Sequence, residues 1–373
     1  MNLPKPASSS WQSRAISLFI AVALSVTWYY NVKVWAVGVP GNATNFVTFY
    51  AGSKTANHMD TLGVWRARIG GLWITGQLFD SVVTNGQINV DDYKAGKILL
   101  LKLDRQESDG AWGTYVYKDA YENVFGLYHA CWLFAFFVVL IIFLQNPLLV
   151  MFGTLAGMFY TLTPAAVYYS YAWDMPAIFF FTLGYFLWRQ KQYAWMLAVI
   201  FFGCPFKETT AVIAILYFFT DMPMQKRVIY FLGAAAMTLL QKIAIMEAYY
   251  HSMTVLTQNL HSAPEDAKGL AATTLGQNLK EFFSLKWNHF IFVNDGTLLI
   301  SFCLPAHDKV QWGTKALLVV FFVCQALAGS FNEFRIMLEA LPIALIYIAE
   351  YLSPASALMA ETISPLKPQA KKR

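Results

Sequence analysis

Apolar runs long enough to form buried helices recur from Ile16 to Leu352, with few polar stretches between them. This pattern restricts the fold more than any single motif does. Ten runs are candidate membrane spans: Ile16 to about Val37, then 123–144, 148–163, 174–188, 193–204, 207–220, 228–247, 288–304, 314–330 and 336–352. The chain has 373 residues, 57% of them hydrophobic and 13% charged. A soluble domain is nearer about 45–50% apolar and roughly 25% charged, so a water-soluble fold could not hide this surface. Ten helices of about 20 residues use roughly 200 residues and leave the rest for loops. The expected fold is therefore all-α: a polytopic membrane helix bundle of about ten spans, one transmembrane domain over 1–353 with outer loops at 38–120 and 251–287, then a disordered basic cytoplasmic tail at 354–373.

Short cytoplasmic loops are enriched in Lys and Arg, which orients the bundle. Lys5 and Arg14 precede the first run, which reads as an uncleaved anchor with its N-terminus in the cytoplasm. Alternation then puts Arg189 and Lys191, Lys226 and Arg227, Lys309 and the tail residues Lys367, Lys371, Lys372 and Arg373 on that same side. The formal charge of +5 thus reads as a topology signal rather than a nucleic-acid footprint, and no nucleic-acid partner is expected. Short loops and few cysteines fit a bacterial inner (plasma) membrane with both termini cytoplasmic. Cys131, Cys204, Cys303 and Cys324 form no C-x-x-C pair, so neither disulfides nor structural zinc are expected.

Two stretches need separate treatment. Residues 193–220 offer 28 positions for two spans, predicting two short helices that meet near Cys204-Pro205 with their apex below the membrane surface. The amphipathic stretch Trp65 to Val83 is expected to lie in the interface rather than to cross. No G-x-x-x-x-G-K or G-x-G-x-x-G loop is present, so neither ATP nor a dinucleotide is expected as a cofactor.

Almost every ionisable residue embedded in or bordering an apolar run, the basic loops aside, falls on the side opposite those loops, the extracytoplasmic one. They are Asp60, Arg66 and Arg68 in the first outer loop, Asp174 opening a span, Lys207 and Glu208 at the short hairpin, Lys242 and Glu247 near a helix end, and Glu333 and Arg335 before the last span. Charges at such depth cost several kcal/mol unless paired or wet. Five separate segments carrying that cost on one face predict one shared polar cavity. Simpler readings stand beside this one. Lys207 with Glu208, and Glu333 with Arg335, would serve equally as structural ion pairs; Asp174 before Met175-Pro176 would serve as a helix-start residue; Arg66 and Arg68 would contact lipid head groups. The cluster Tyr168, Tyr169, Tyr171 and Trp173 fits either an interfacial aromatic belt or a sugar-stacking surface. His129, deep in a run, reads as a packing residue.

In layout the chain resembles the GT-C superfamily of integral-membrane glycosyltransferases. The likeness rests on the long outer loop after the first span, Tyr169-Ser170-Tyr171-Ala172-Trp173-Asp174-Met175-Pro176 opening a span that ends at Trp188-Arg189-Gln190-Lys191, Pro205-Phe206-Lys207-Glu208-Thr209, and Glu333-Phe334-Arg335 before the last span. The resemblance implies an inverting sugar transfer from a polyprenyl-phosphate donor in the lipid bilayer to an acceptor on the extracytoplasmic face. One departure matters: Gly41-Asn42-Ala43-Thr44-Asn45 holds no acid, and the first acid of the loop is Asp60.

Such a transfer builds oxocarbenium character at the sugar and negative charge on the leaving phosphate, and a carboxylate takes the acceptor proton. Asp60 is the expected general base, with Asp80 and Asp174 as competitors. Arg66, Arg68, Lys207, Lys242 and Arg335 form the pool for a phosphate clamp, with Glu208 and Glu333 orienting those cations. Asp174 would hold sugar hydroxyls or help bind a divalent cation, the one cofactor left open; no metal ligand set is assigned. Rival classes are a transporter or lipid flippase with an intramembrane polar site, and a polysaccharide polymerase or ligase sharing the lipid-linked donor. Two pseudo-symmetric halves would mark a transporter, and none is visible in the sequence.

Overall fold

The computed structural model describes residues 11–35, 69–82, 118–162, 172–250, 295–328 and 337–352, and every element among them is helical. In chain order these are α1 (Trp11–Trp35), α2 (Ile69–Val82), α3 (Lys118–Phe143), α4 (Pro147–Leu162), α5 (Asp174–Arg189), α6 (Tyr193–Gly203), a 3-10 helix (Glu208–Phe219), α7 (Met224–Tyr250), α8 (Asp295–Cys303), α9 (Lys309–Ala328) and α10 (Leu341–Leu352). The segments Trp11–Val32, Asn123–Phe143 and Met224–Ile245 are long and apolar enough to cross a membrane, and shorter apolar helices accompany them. These helices suggest an integral membrane protein.

Burial separates the core from the periphery. α1 packs along α3, and Tyr29 Oη donates to Asn123 Oδ1 at 2.8 Å near their facing ends. Its outer side exposes Phe19, Val22, Val26 and Tyr30, an apolar surface suited to lipid. α7 is similarly peripheral, with Ile229, Leu232, Leu239 and Leu240 exposed. By contrast, α5 is buried along most of its length, between α3, α6 and the 3-10 helix.

The short hairpin expected within 193–220 is present as α6 and the 3-10 helix, joined by a turn at Cys204–Lys207. α6 has 11 residues, about 16 Å at 1.5 Å per residue. The 3-10 helix has 12 and gains reach from its longer rise of about 2.0 Å, spanning about 24 Å. Both fall short of a hydrocarbon layer of about 30 Å. The turn itself is interior: Cys204, Phe206 and Lys207 are all buried. Away from water its backbone must be satisfied internally, and Gly203 O accepts from both Phe206 N (2.9 Å) and Lys207 N (3.0 Å). Gly203 is needed for the reversal, since a Cβ there would lie 2.7 Å from Thr210 Cγ2 and 2.9 Å from Phe180 Cβ.

α2 departs from the amphipathic segment expected over Trp65 to Val83. It begins at Ile69 and is packed into the bundle, with Ile69, Leu72, Thr75 and Phe79 buried. Its first turn closes on the hairpin: Gly70 N donates to Pro205 O at 3.0 Å. An otherwise orphaned helix-start N–H and an otherwise orphaned turn carbonyl thereby satisfy each other. Gly71 permits the approach, because a Cβ would stand 2.4 Å from Ala172 O.

Candidate functional site

Three chain segments bring ionisable side chains to one end of the bundle. Asp174 is the first residue of α5, Lys207 precedes the 3-10 helix, and Glu339 lies in the turn leading into α10. Lys207 Nζ is 2.5 Å from Glu339 Oε1 and 3.7 Å from Asp174 Oδ1, and all three side chains are at most 4% exposed. Thr209 Oγ1 donates a short hydrogen bond to Glu339 Oε2. Both oxygens of Glu339 are therefore engaged, one by a cation and one by a hydroxyl. Such pairing is what permits charges at this depth, since each ion would otherwise carry a desolvation cost of several kcal/mol.

Neighbouring elements enclose this triad. Ala172, two residues before Asp174, accepts from Tyr128 Oη of α3 at 2.7 Å and abuts Gly71 of α2. Beside the turn, Trp132 packs against Phe179, Phe180 and Phe206 with ring centroids 5.2, 5.5 and 5.3 Å away. His129 is fully buried against the Phe125 ring at 4.4 Å, in the packing position expected of it. Trp173 is 1% exposed, which corrects both readings offered for it: it is neither displayed at a membrane interface nor open to stack on a sugar.

The opposite end of the same helices carries a different set of charges. Arg189, ending α5, makes a two-pronged pair with Glu350 of α10 at 3.0 and 3.1 Å, and its Nη1 also donates to Tyr185 Oη. Lys191 and Lys309 both reach Asp221, at 2.8 and 3.2 Å. Arg227 caps the end of the 3-10 helix through Phe218 O and Met222 O. Three of the loops predicted to share a side thus meet. Lys191 holds a positive φ of 59° and closes α5 as a Schellman turn, with Gln192 N bonded to Leu187 O and Lys191 N to Trp188 O. The two Lys contacts hold the exposed Asp221 carboxyl below the usual carboxylate range, hydrogen bonding being the larger cause, and the Asp221 hydrogen bond raises Lys191.

Of the residues selected from sequence, Asp174 and Lys207 come together. The capping account of Asp174 is half right: it starts α5, but the helix has no side-chain cap and the carboxylate faces Lys207. The suggested pairing of Lys207 with Glu208 is replaced by Asp174 and Glu339. Glu208 and Lys242 instead lie on the other side of the turn, both within electrostatic range of Cys204. Asp80 falls in the last turn of α2. Asp60, Arg66, Arg68, Glu333 and Arg335 lie outside the described residues.

Glu339 and Thr209 were not selected from sequence. Glu339 sits inside the run 336–352, where an acid in apolar surroundings is itself a signal for a buried partner. Thr209 carried no such signal. The four cysteines are free thiols. Among the described residues no three or more His, Cys, Asp or Glu side chains gather as a metal site, and the two carboxylates of the triad are directed at an ammonium rather than at a set of oxygen ligands. No protein-family model, curated protein or solved structure matches the chain.

Proposed function

We propose that the chain is an integral-membrane glycosyltransferase of GT-C type, crossing the bilayer about ten times and moving a sugar from a polyprenyl-phosphate donor to an acceptor at the extracytoplasmic face. The observation that carries this reading is the convergence of Asp174, Lys207 and Glu339 at one end of the bundle, while the basic loops meet at the other. With the basic end in the cytoplasm, the triad lies toward the outer leaflet.

Asp174 and Arg189 are separated by 15 residues of α5, about 23 Å of helix, so the triad sits a few ångströms beneath the outer surface. That depth suits a donor whose phosphate lies at head-group level. Lys207, gripped by two carboxylates, acts as a positioning charge that fixes the hairpin. The phosphate clamp is then drawn from Arg66, Arg68, Lys242 and Arg335, and Arg68 directly precedes α2 in the sequence. Asp60 remains the proposed base, with Asp80 and Asp174 as alternatives.

The test is transfer from a synthetic polyprenyl-phosphate sugar by the purified protein, together with mass analysis of co-purified lipid. Donor-dependent transfer that disappears in Asp60→Asn supports the reading; no transfer with any lipid-linked donor removes it. One observation favours transport instead: the triad is enclosed, at most 4% exposed, as a gated intramembrane site would be. Gradient-coupled uptake into vesicles would establish that alternative.

A further inference from the structure

Thr238, Gln241 and Lys242 occupy positions i, i+3 and i+4 of α7 and so share one helix face. That face meets the end of α6: Thr238 Oγ1 is 3.5 Å from Cys204 Sγ, and Gln241 Nε2 donates to Phe201 O at 2.6 Å. Lys242 is half-buried beside them. Among the described residues no carboxylate lies within ion-pair distance of it, and Gln241 Oε1 is buried without a hydrogen-bond donor. On either side the surface is apolar and open, with Phe202, Leu239 and Leu240 all more than half exposed.

Depth identifies what fits there. Lys242 is 18 residues beyond Met224, the start of α7, about 27 Å along the helix. The hydrocarbon layer is about 30 Å thick, and Met224 lies three residues after Asp221 of the basic end. Lys242 is therefore near the head-group level of the far leaflet, flanked by side chains that face acyl chains. The Cys204–Lys207 turn separates this notch from the triad, with Lys207 on its inner side.

We propose that this notch between α6 and α7 binds the phosphate group of a membrane lipid. Lys242 supplies the point charge for the phosphate, Gln241 holds α7 against α6 through Phe201 O, and the exposed Phe202, Leu239 and Leu240 lie along the lipid chains. A soluble anion would use the charge but not the apolar flanks. The proposal goes beyond the transferase reading, and lipid binding at the notch does not depend on sugar transfer.

The experiment places the full chain in phosphatidylcholine nanodiscs with and without dioleoyl phosphatidic acid, and reads lipid retention by native mass spectrometry and thermal stabilisation. Lys242→Gln should weaken retention about tenfold, the scale of one charge-assisted contact. Lys242→Arg should keep it, and Lys226→Gln at the basic end should not change it. Inorganic phosphate alone should give no stabilisation. Retention by Lys242→Gln equal to wild type, equal loss in Lys226→Gln, or equal stabilisation by inorganic phosphate would each overturn the lipid site. Transfer is not read, so a chain that binds phosphatidic acid through Lys242 but transfers no sugar refutes the transferase alone.

Discussion

Lys207 and Glu339 stand 2.5 Å apart in the interior although they come from distant parts of the chain. Removing one member of such a pair leaves the other buried and uncompensated, at about 3–5 kcal/mol. Glu339→Gln and Lys207→Met should each lower thermal stability in detergent by that order. The double variant Lys207→Met with Glu339→Leu should cost less than the sum of the two, and a double-mutant cycle on unfolding measures the coupling. Additive losses would show that the two charges do not sense each other.

Catalysis should be separable from this framework. On the proposed transferase reading, Asp60→Asn should abolish sugar transfer with little change in expression or donor binding, measured with a lipid-linked donor in detergent. Full turnover would move the base to Asp80 or Asp174.

Gly71 offers a steric test of how α2 is seated. Its replacement by alanine forces a Cβ to within 2.4 Å of Ala172 O, so the first turn of α2 must lift from the hairpin and strain the Gly70–Pro205 hydrogen bond. Hydrogen exchange over 69–75 should accelerate, and activity should fall if the donor cleft includes this turn. Unchanged protection would mean that the backbone at Ala172 yields instead.

The basic end predicts a pH response with a definite sign. Asp221 is held below its ordinary value of 3.8, so its contribution is present above that value and is lost as pH falls through the lowered native one. Lys191 is raised above 10.5, so its share is present below 10.5 and is lost as pH rises through the native value. Both groups are exposed, so the effect is small. Asp221→Asn should lower the neutral plateau of a melting-temperature profile slightly and flatten its acid limb, because the contribution it removes is the one present at neutral pH.

Lys191 carries a second, independent expectation through its backbone. At φ 59° a β-branched residue is strained, and Lys191→Val should destabilise by about 1–2 kcal/mol in thermal melts. Lys191→Gly should be close to neutral, since relief at the turn offsets greater freedom of the unfolded chain.

Helical starts and stops were largely legible, because apolar length is a one-dimensional property. The run 174–188 corresponds to α5, and 193–204 with 207–220 to the hairpin. Part of the charge grouping was legible too, in that Lys191 and Lys309 meet at Asp221 and Asp174 meets Lys207. What sequence could not supply was pairing. Glu208 adjoins Lys207, yet Lys207 chooses Glu339, because the turn sends successive side chains in different directions. The 3-10 winding of Glu208–Phe219 was also hidden, since apolar periodicity does not separate it from an α-helix over so short a run. α2 read as interfacial because Arg66 and Arg68 weighted its start, whereas Ile69, Leu72, Thr75 and Phe79 of the described helix are buried.

α5 and α10 are fastened twice, by Arg189–Glu350 at one extremity and through Lys207 at the other. The two helices resemble the uprights of a ladder with a rung at each end, and neither can tilt against the other without snapping a rung. Any opening must therefore come from elements hung outside that ladder, foremost α7, whose outer face is uncovered along Ile229, Leu232, Leu239 and Leu240.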